Sequence, residues 1–321
     1  MIPVTVVTGF LGAGKTTLVN AWLAGYARGE VAVVVNEVGS VGIDGELLAD
    51  RVRTLVEITG GCVCCRTQGE LVSALERLAD AVPAPLRVVV ETSGAASPSG
   101  VLRALAVGGE RGAFLLDGVV TVVDAARVDR VFEHDLAIEQ VACADVVVLS
   151  RAESCDARAF ADAEARVAEH AGAAIVLRSQ NGVVTEVEVA TLEALLARAR
   201  ARDTFPPRRD VASVRADHVY ETVSLTLVGD VDGERFADFV EGVLGRVSGR
   251  IFRTKGIVSV AGVPARMIVQ GVADLVEVTF GAPWGDAPRT SRLVVVGFGL
   301  DPSVLEAAFS ACAAGETGPL P

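Results

Sequence analysis

The stretch Gly9-Phe10-Leu11-Gly12-Ala13-Gly14-Lys15-Thr16-Thr17 carries the spacing G-x-x-x-x-G-K-[ST]. Glycines at these intervals let successive backbone N–H groups turn inward, and a helix N-terminus behind them favours an anion. Such a loop cradles phosphates. Gly9, Gly12, Ala13, Gly14 and Thr17 shape it, the Lys15 ammonium bridges the β- and γ-phosphates, and the Thr16 hydroxyl ligates Mg²⁺. A strand-like run, Val4-Thr5-Val6-Val7, precedes the motif and an amphipathic helix follows it, which is the context the motif requires. Lysine is otherwise scarce: of 29 basic residues only Lys15 and Lys255 are lysines and the other 27 are arginines. A retained lysine marks a place that needs an ammonium rather than a guanidinium.

A bound nucleoside triphosphate needs two further features. The first is a carboxylate at the end of a later strand, to hold or polarise the water shell of the metal. Glu91, in Glu91-Thr92-Ser93-Gly94, supplies one, and Asp124 at the end of Val119–Val123 competes for the same role. The second is a reader of the base. Guanine-binding strands end in Asn-Lys-x-Asp; here Val146–Leu149 runs into Ser150-Arg151-Ala152-Glu153. Glu153 offers a bidentate carboxylate one methylene further out, and Arg151 a planar group to stack along the base. Ser179, opening Ser179-Gln180-Asn181-Gly182, stands where a second base-contacting loop lies. Guanine is the expected base and relaxed base specificity its rival, because geometry at a buried bidentate contact is strict.

Three of the six cysteines, Cys62, Cys64 and Cys65, follow the pair Gly60-Gly61. C-x-C-C by itself does not close a tetrahedral site, and Cys143, Cys155 and Cys312 form no second pair. From the residues alone a thiolate metal site, a redox cluster and reduced, buried cysteines all stand. Thiolates favour Zn²⁺, Cu⁺ or Co²⁺ over Mg²⁺.

The elements that must position these residues are legible in the same way. Val-rich runs at Val4–Val7, Val31–Val35, Arg87–Glu91, Val119–Val123, Val146–Leu149 and Ala174–Leu177 alternate with helical stretches at Thr16–Ala24, Gln68–Ala81, Ile138–Cys143, Ala157–His170 and Leu192–Arg202. Continuous apolar strands separated by helices predict an α/β fold, a doubly wound, mostly parallel sheet with both faces covered. The expected division is a nucleotide-binding domain over 1–203, a polar, proline-bearing linker over 204–217, a smaller α+β domain over 218–315 and a tail over 316–321. A net charge of −12 and a pI near 4.8 argue against non-specific nucleic-acid binding. No apolar run has the length of a membrane helix and no signal peptide opens the chain, so the expected location is the cytoplasm, where thiols stay reduced.

Taken together, these motifs resemble the CobW-like family of metal-linked P-loop GTPases. The resemblance runs through the phosphate loop, Asn36-Glu37-Val38-Gly39-Ser40-Val41-Gly42-Ile43-Asp44, Gly60-Gly61-Cys62-Val63-Cys64-Cys65, Glu91-Thr92-Ser93-Gly94 and Ala144-Asp145. It continues in Gly249-Arg250-Ile251-Phe252-Arg253-Thr254-Lys255-Gly256 and Arg289-Thr290-Ser291-Arg292-Leu293. It implies a slow GTPase that uses GTP and Mg²⁺, binds zinc or another thiophilic divalent metal such as Co²⁺, and delivers it to a client metalloprotein. It also implies a metal site of Glu37, Cys62, Cys64 and Cys65. Both the glutamate and the cysteines fall where switch segments run, with Gly39, Gly42, Gly60 and Gly61 as hinges. GTP–Mg²⁺ is then expected to order the thiolate site and hydrolysis to disorder it. The chain departs from the family in its base motif and in lacking a histidine-rich tract before the second domain, where only His218 stands. A P-loop kinase and a non-catalytic nucleotide switch are the rival functions, and a homodimer is left open.

Overall fold

The computed structural model describes residues 1–37, 55–59, 66–109, 113–171, 174–184, 196, 220–245, 250–272 and 275–314. The chain divides into two compact units, Met1–Thr204 and Phe205–Pro321.

The first unit is built on strands β1 (Ile2–Thr8), β2 (Val31–Glu37), β3 (Leu55–Thr59), β4 (Arg87–Thr92), β5 (Phe114–Asp124), β6 (Val146–Ser150), β7 (Ile175–Gln180) and β8 (Val183–Val184). They form one sheet in the order β3-β2-β4-β1-β5-β6-β7-β8, parallel except for β8. Every residue of β4 and β6 is buried, which is why the sequence shows solid apolar runs rather than alternation. Helix α1 (Lys15–Leu23) packs Leu18, Val19 and Trp22 on one face, against Val33, Val120 and Val148. On the other face, α4 (Val128–Val131), α5 (Asp135–Ala142) and α6 (Ala157–Ala168) pack Val131, Val141 and Phe160 against Val123, Val147 and Leu149. Two further helices, α2 (Arg66–Ala79) and α3 (Pro98–Gly109), complete the winding with buried Leu71, Leu75, Leu102 and Leu105. Asp156 caps α6 by accepting from the Ala159 N–H at 2.8 Å.

The second unit is a five-stranded antiparallel sheet, β9 (Tyr220–Val228), β10 (Arg250–Val258), β11 (Ala265–Val272), β12 (Leu275–Pro283) and β13 (Thr290–Phe298), in the order β12-β11-β10-β13-β9. Helices α7 (Gly233–Asp238) and α8 (Pro302–Ser310) are capped by Asp232 and Asp301. They seat Phe236 and Phe309 in the core, next to Leu225, Val269, Leu293 and Val295. α7 keeps α geometry only to Asp238 and continues as a π-helix over Phe239–Leu244, which holds Phe239 and Leu244 in the core. Among the described residues no helix is long and apolar enough to cross a membrane.

His170 is buried just past α6. It lies edge-on to Phe132 with ring centroids 4.7 Å apart. Burial pulls its pKa down to about 4, with Glu169 raising it and Arg166 lowering it. The folded imidazole is therefore neutral, while the unfolded one takes a proton below its ordinary pKa of about 6.5. The stability it supports is complete above that value and is lost as pH falls toward 4. Urea unfolding at pH 7 and pH 5 is expected to show a loss of about 2 kcal/mol from this group. His170→Leu flattens that part of the profile; a variant that tracks the wild type at both pH values would remove His170 as the cause.

Candidate functional site

β1 lies between β4 and β5 at the centre of the sheet, and its C-terminal end delivers the chain into the glycine-rich loop. Gly9, Gly12 and Gly14 have φ of 142°, 72° and 98°, backbone states that side chains resist. A turn closes within the loop, from the Ala13 N–H to the Phe10 carbonyl at 3.1 Å. α1 then begins at Lys15 with no acid of its own in its first turn, so the positive end of its dipole faces the loop. Lys15 is nine-tenths buried, and its Nζ donates to the Gly9 carbonyl at 3.0 Å, curled inside the loop.

One strand over, β4 ends at the second expected residue. The Thr16 hydroxyl donates to Glu91 Oε1 at 2.7 Å, and Glu91 is only 2% exposed. Asp124 is equally buried but is occupied differently. It accepts from the Ala126 N–H, pairs with Arg151 at 3.0 Å, and lies 3.8 Å from Arg127. Of the two competing carboxylates, Glu91 meets the loop hydroxyl and Asp124 meets the arginines. A hydroxyl and a carboxylate side by side are a hard, all-oxygen donor set, and they fit Mg²⁺.

On the other side of the loop lies a cavity of about 170 Å³, lined in part by Ala13, Thr17, Ser150, Arg151, Glu153 and Ser179. The Ser150 hydroxyl donates to the Ala13 carbonyl at 2.6 Å, tying the end of β6 to the phosphate loop. Arg151 has φ of 56°, and its guanidinium spans from Asp124 to the Gly12 carbonyl at 3.1 Å. The residue expected to lie along a base thus also braces the loop. Glu153 is exposed at the rim. The Ser179 hydroxyl is buried in the wall and meets no partner among the described residues. Beyond it, Asn181 and Gly182 adopt φ of 49° and 82° and form the two-residue turn of the β7–β8 hairpin. A Cβ on Gly182 would lie 2.9 Å from the Thr17 methyl, so this turn seats directly on α1.

Cys62, Cys64 and Cys65 lie outside the described residues. Glu37 is placed by its backbone as the last residue of β2. The register sets Asn36 beside Thr92 of β4, and both Asn36 and Glu37 beside Ile58 and Thr59 of β3. Among the described residues no group of three or more His, Cys, Asp or Glu is arranged to hold a metal. Cys143 and Cys312 are buried, and Cys155 is half-buried with its thiol pushed up by burial and by Asp124.

Sequence reasoning gave no role beside the loop to Phe10, His134, Glu139 or Gln140. The one local sign was a polar pair, Glu139-Gln140, inside the otherwise apolar Leu136–Ala142.

A central parallel strand feeding a glycine-rich loop, with a hydroxyl–carboxylate pair on one side and a base-sized cavity on the other, defines a P-loop nucleotide-binding protein. Residues 3–178 match the CobW/HypB/UreG nucleotide-binding domain, and residues 220–313 match the cobalamin synthesis protein cobW C-terminal domain. The chain belongs to the CobW family. Zinc chaperone CobW of Pseudomonas aeruginosa is 32% identical to it, over 95% of this chain and 89% of that one. Zinc chaperone YjiA of Escherichia coli is 30% identical over 96% of this chain and 98% of its own. The crystal structure of Zn(II)-bound YjiA GTPase from E. coli superposes with a TM-score of 0.65 at 25% identity, covering 98% of this chain and 99% of the other.

Proposed function

We propose that this protein is a Mg²⁺-dependent GTPase that binds zinc through Glu37, Cys62, Cys64 and Cys65 and passes it to a client metalloprotein as the nucleotide turns over. The observation that carries the proposal is the Thr16–Glu91 pair, 2.7 Å apart at the loop, with Glu37 leaving the sheet from the neighbouring strand. The next-to-last residue of β4 is Glu91, the carboxylate that would meet the nucleotide's metal, and β2, beside it, ends in the first proposed zinc ligand. Cys62 follows Thr59, a residue of the strand paired with β2, by three positions. The nucleotide and the cargo metal are therefore served by adjacent strand ends, where a change at one is felt at the other.

The loop amides and Lys15 hold the phosphates and stabilise the charge that develops on them. Thr16 and Glu91 hold Mg²⁺, which supplies charge neutralisation when bound. The cavity takes the base, with Ser179 and Glu153 offering polar contacts and Ser150 and Arg151 fixing the wall to the loop. Kinship with proteins named as zinc chaperones supports zinc as the cargo, and an acidic chain without a broad positive field suits a cytoplasmic protein client.

Competitive zinc titration with GDP and with a non-hydrolysable GTP analogue tests the coupling. Zinc is expected to bind about tenfold tighter in the GTP state. Cys64→Ala/Cys65→Ala is expected to abolish that difference, and phosphate release is expected from GTP in preference to ATP. Equal zinc affinity in the two states sinks the coupling, and an unaffected double variant sinks the site.

A further inference from the structure

Helix α5 touches the nucleotide loop region at both of its ends. His134, just before the helix, stacks on Phe10 of the phosphate loop, with ring centroids 4.6 Å apart and 19° between the planes. Near the other end Gln140 is fully buried. Its Nε2 donates to the Ala96 carbonyl at 3.2 Å and to the Gly94 carbonyl at 3.4 Å. The Gln140 backbone carbonyl accepts from the Thr121 hydroxyl at 2.6 Å, which fixes the helix to β5. Glu139 is 6% exposed, and its Oε1 accepts from both the Ser97 hydroxyl at 2.5 Å and the Ser99 hydroxyl at 2.7 Å.

These four acceptors and donors, Gly94, Ala96, Ser97 and Ser99, all belong to the segment that leaves Glu91 and enters α3. On its opposite side the same segment backs onto the phosphate loop: a Cβ on Gly94 would lie 2.7 Å from the Leu11 nitrogen. Residues 92–97 are therefore held between the loop and α5. A buried carboxylate and a buried amide in an apolar helix are costly unless their hydrogen bonds offset desolvation. Neither residue lines the nucleotide cavity, so what their bonds fix is the path of this backbone.

We propose that Glu139 and Gln140 are positioning residues for Glu91. They set the register of the 92–97 segment against the phosphate loop, and through it the Thr16–Glu91 pair that receives Mg²⁺. The inference rests on the Mg²⁺-dependent GTPase reading above. It separates two properties that general loosening would change together: affinity for Mg²⁺ on the nucleotide, and affinity for the nucleotide itself.

The test compares Gln140→Leu, Glu139→Leu, Glu139→Gln and Ser97→Ala/Ser99→Ala, using a fluorescent GDP with Mg²⁺ and with EDTA, together with steady-state GTP hydrolysis. Gln140→Leu, Glu139→Leu and the double serine variant are expected to need about tenfold more Mg²⁺ for half-maximal rate, and to lose about tenfold in kcat. Their KM for GTP and their GDP affinity in EDTA stay within about twofold of wild type. Glu139→Gln, which keeps an oxygen where Oε1 accepts from the two serines, recovers most of both losses. Should Glu139→Leu fail to fold, the serine variant removes the same two hydrogen bonds from the surface end and carries the comparison with Gln140→Leu. An unchanged Mg²⁺ requirement in those two variants overturns the proposal. So does a fall in EDTA-state GDP affinity that matches the fall in kcat. A wild type whose hydrolysis needs no Mg²⁺ overturns the Mg²⁺ dependence on which the inference rests, a result distinguishable from either.

Discussion

Replacing Lys15 by alanine or by arginine is expected to lower kcat/KM for GTP by about 10²- to 10³-fold, the cost of removing one charged group aimed at the reacting phosphate. The arginine variant is the informative one. This chain writes 27 of its 29 cations as arginine, so arginine is plainly compatible with its surface and folding. At position 15 the side chain is nine-tenths buried and its ammonium sits 3.0 Å from the Gly9 carbonyl, inside the curve of the loop. A compact ammonium fits there and reaches two phosphates as a point charge. A planar guanidinium is longer, and its five donors lie in a rigid fork. Phosphate release at saturating Mg²⁺ measures the loss, and thermal unfolding of the nucleotide-free protein serves as control, with shifts of a few degrees at most. Activity within tenfold of wild type in Lys15→Arg would show that charge alone suffices and that the scarcity of lysine carries no message.

The parts of this molecule that were legible in its sequence are those encoded by neighbours along the chain. Buried parallel strands write themselves as valine runs, and each of the six runs falls on a strand of the first sheet, the last overrunning the start of β7 by Ala174. β3 escaped because Leu55-Val56-Glu57-Ile58-Thr59 is short and broken by a glutamate, and β8 because it has only two residues. α3 escaped because it opens with Pro98-Ser99-Gly100, which reads as a loop, although proline is well suited to the first turn of a helix. The phosphate loop and Glu91 were legible for the same local reason. Asp124 and Arg151 were each singled out, but their pairing across 27 residues, and the reach of Arg151 to Gly12, depend on how β5 and β6 end beside the loop. The hold of Glu139 and Gln140 on the segment after Glu91 is of the same kind, since it joins residues at least forty positions apart. The burial of His170 is also non-local, since it packs on Phe132, just past another helix.

Gly9→Ala and Gly12→Ala separate two demands that the phosphate loop makes on glycine. Both positions have positive φ, 142° and 72° respectively. They differ in what surrounds them. A Cβ at Gly9 would lie 2.2 Å from the Val122 carbonyl oxygen, in β5, which is hydrogen-bonded on both sides within the sheet. Neither backbone can yield without breaking the parallel ladder, so strain and displacement add. The expected destabilisation of nucleotide-free protein is about 4 kcal/mol or more, in the range reserved for core disruption. At Gly12 nothing among the described residues lies within 4 Å of the same Cβ, and its φ is in the left-handed region that an alanine enters at a cost of about 1–2 kcal/mol. Gly12→Ala is therefore expected to keep its fold and to lose mainly phosphate affinity, because the added methyl stands where backbone amides approach the ligand. Denaturant unfolding without nucleotide, followed by GDP binding, reads both effects. Equal destabilisation at the two sites would mean that φ alone decides and that the contact with β5 relaxes; Gly9→Ala destabilised several-fold more places the constraint in the sheet.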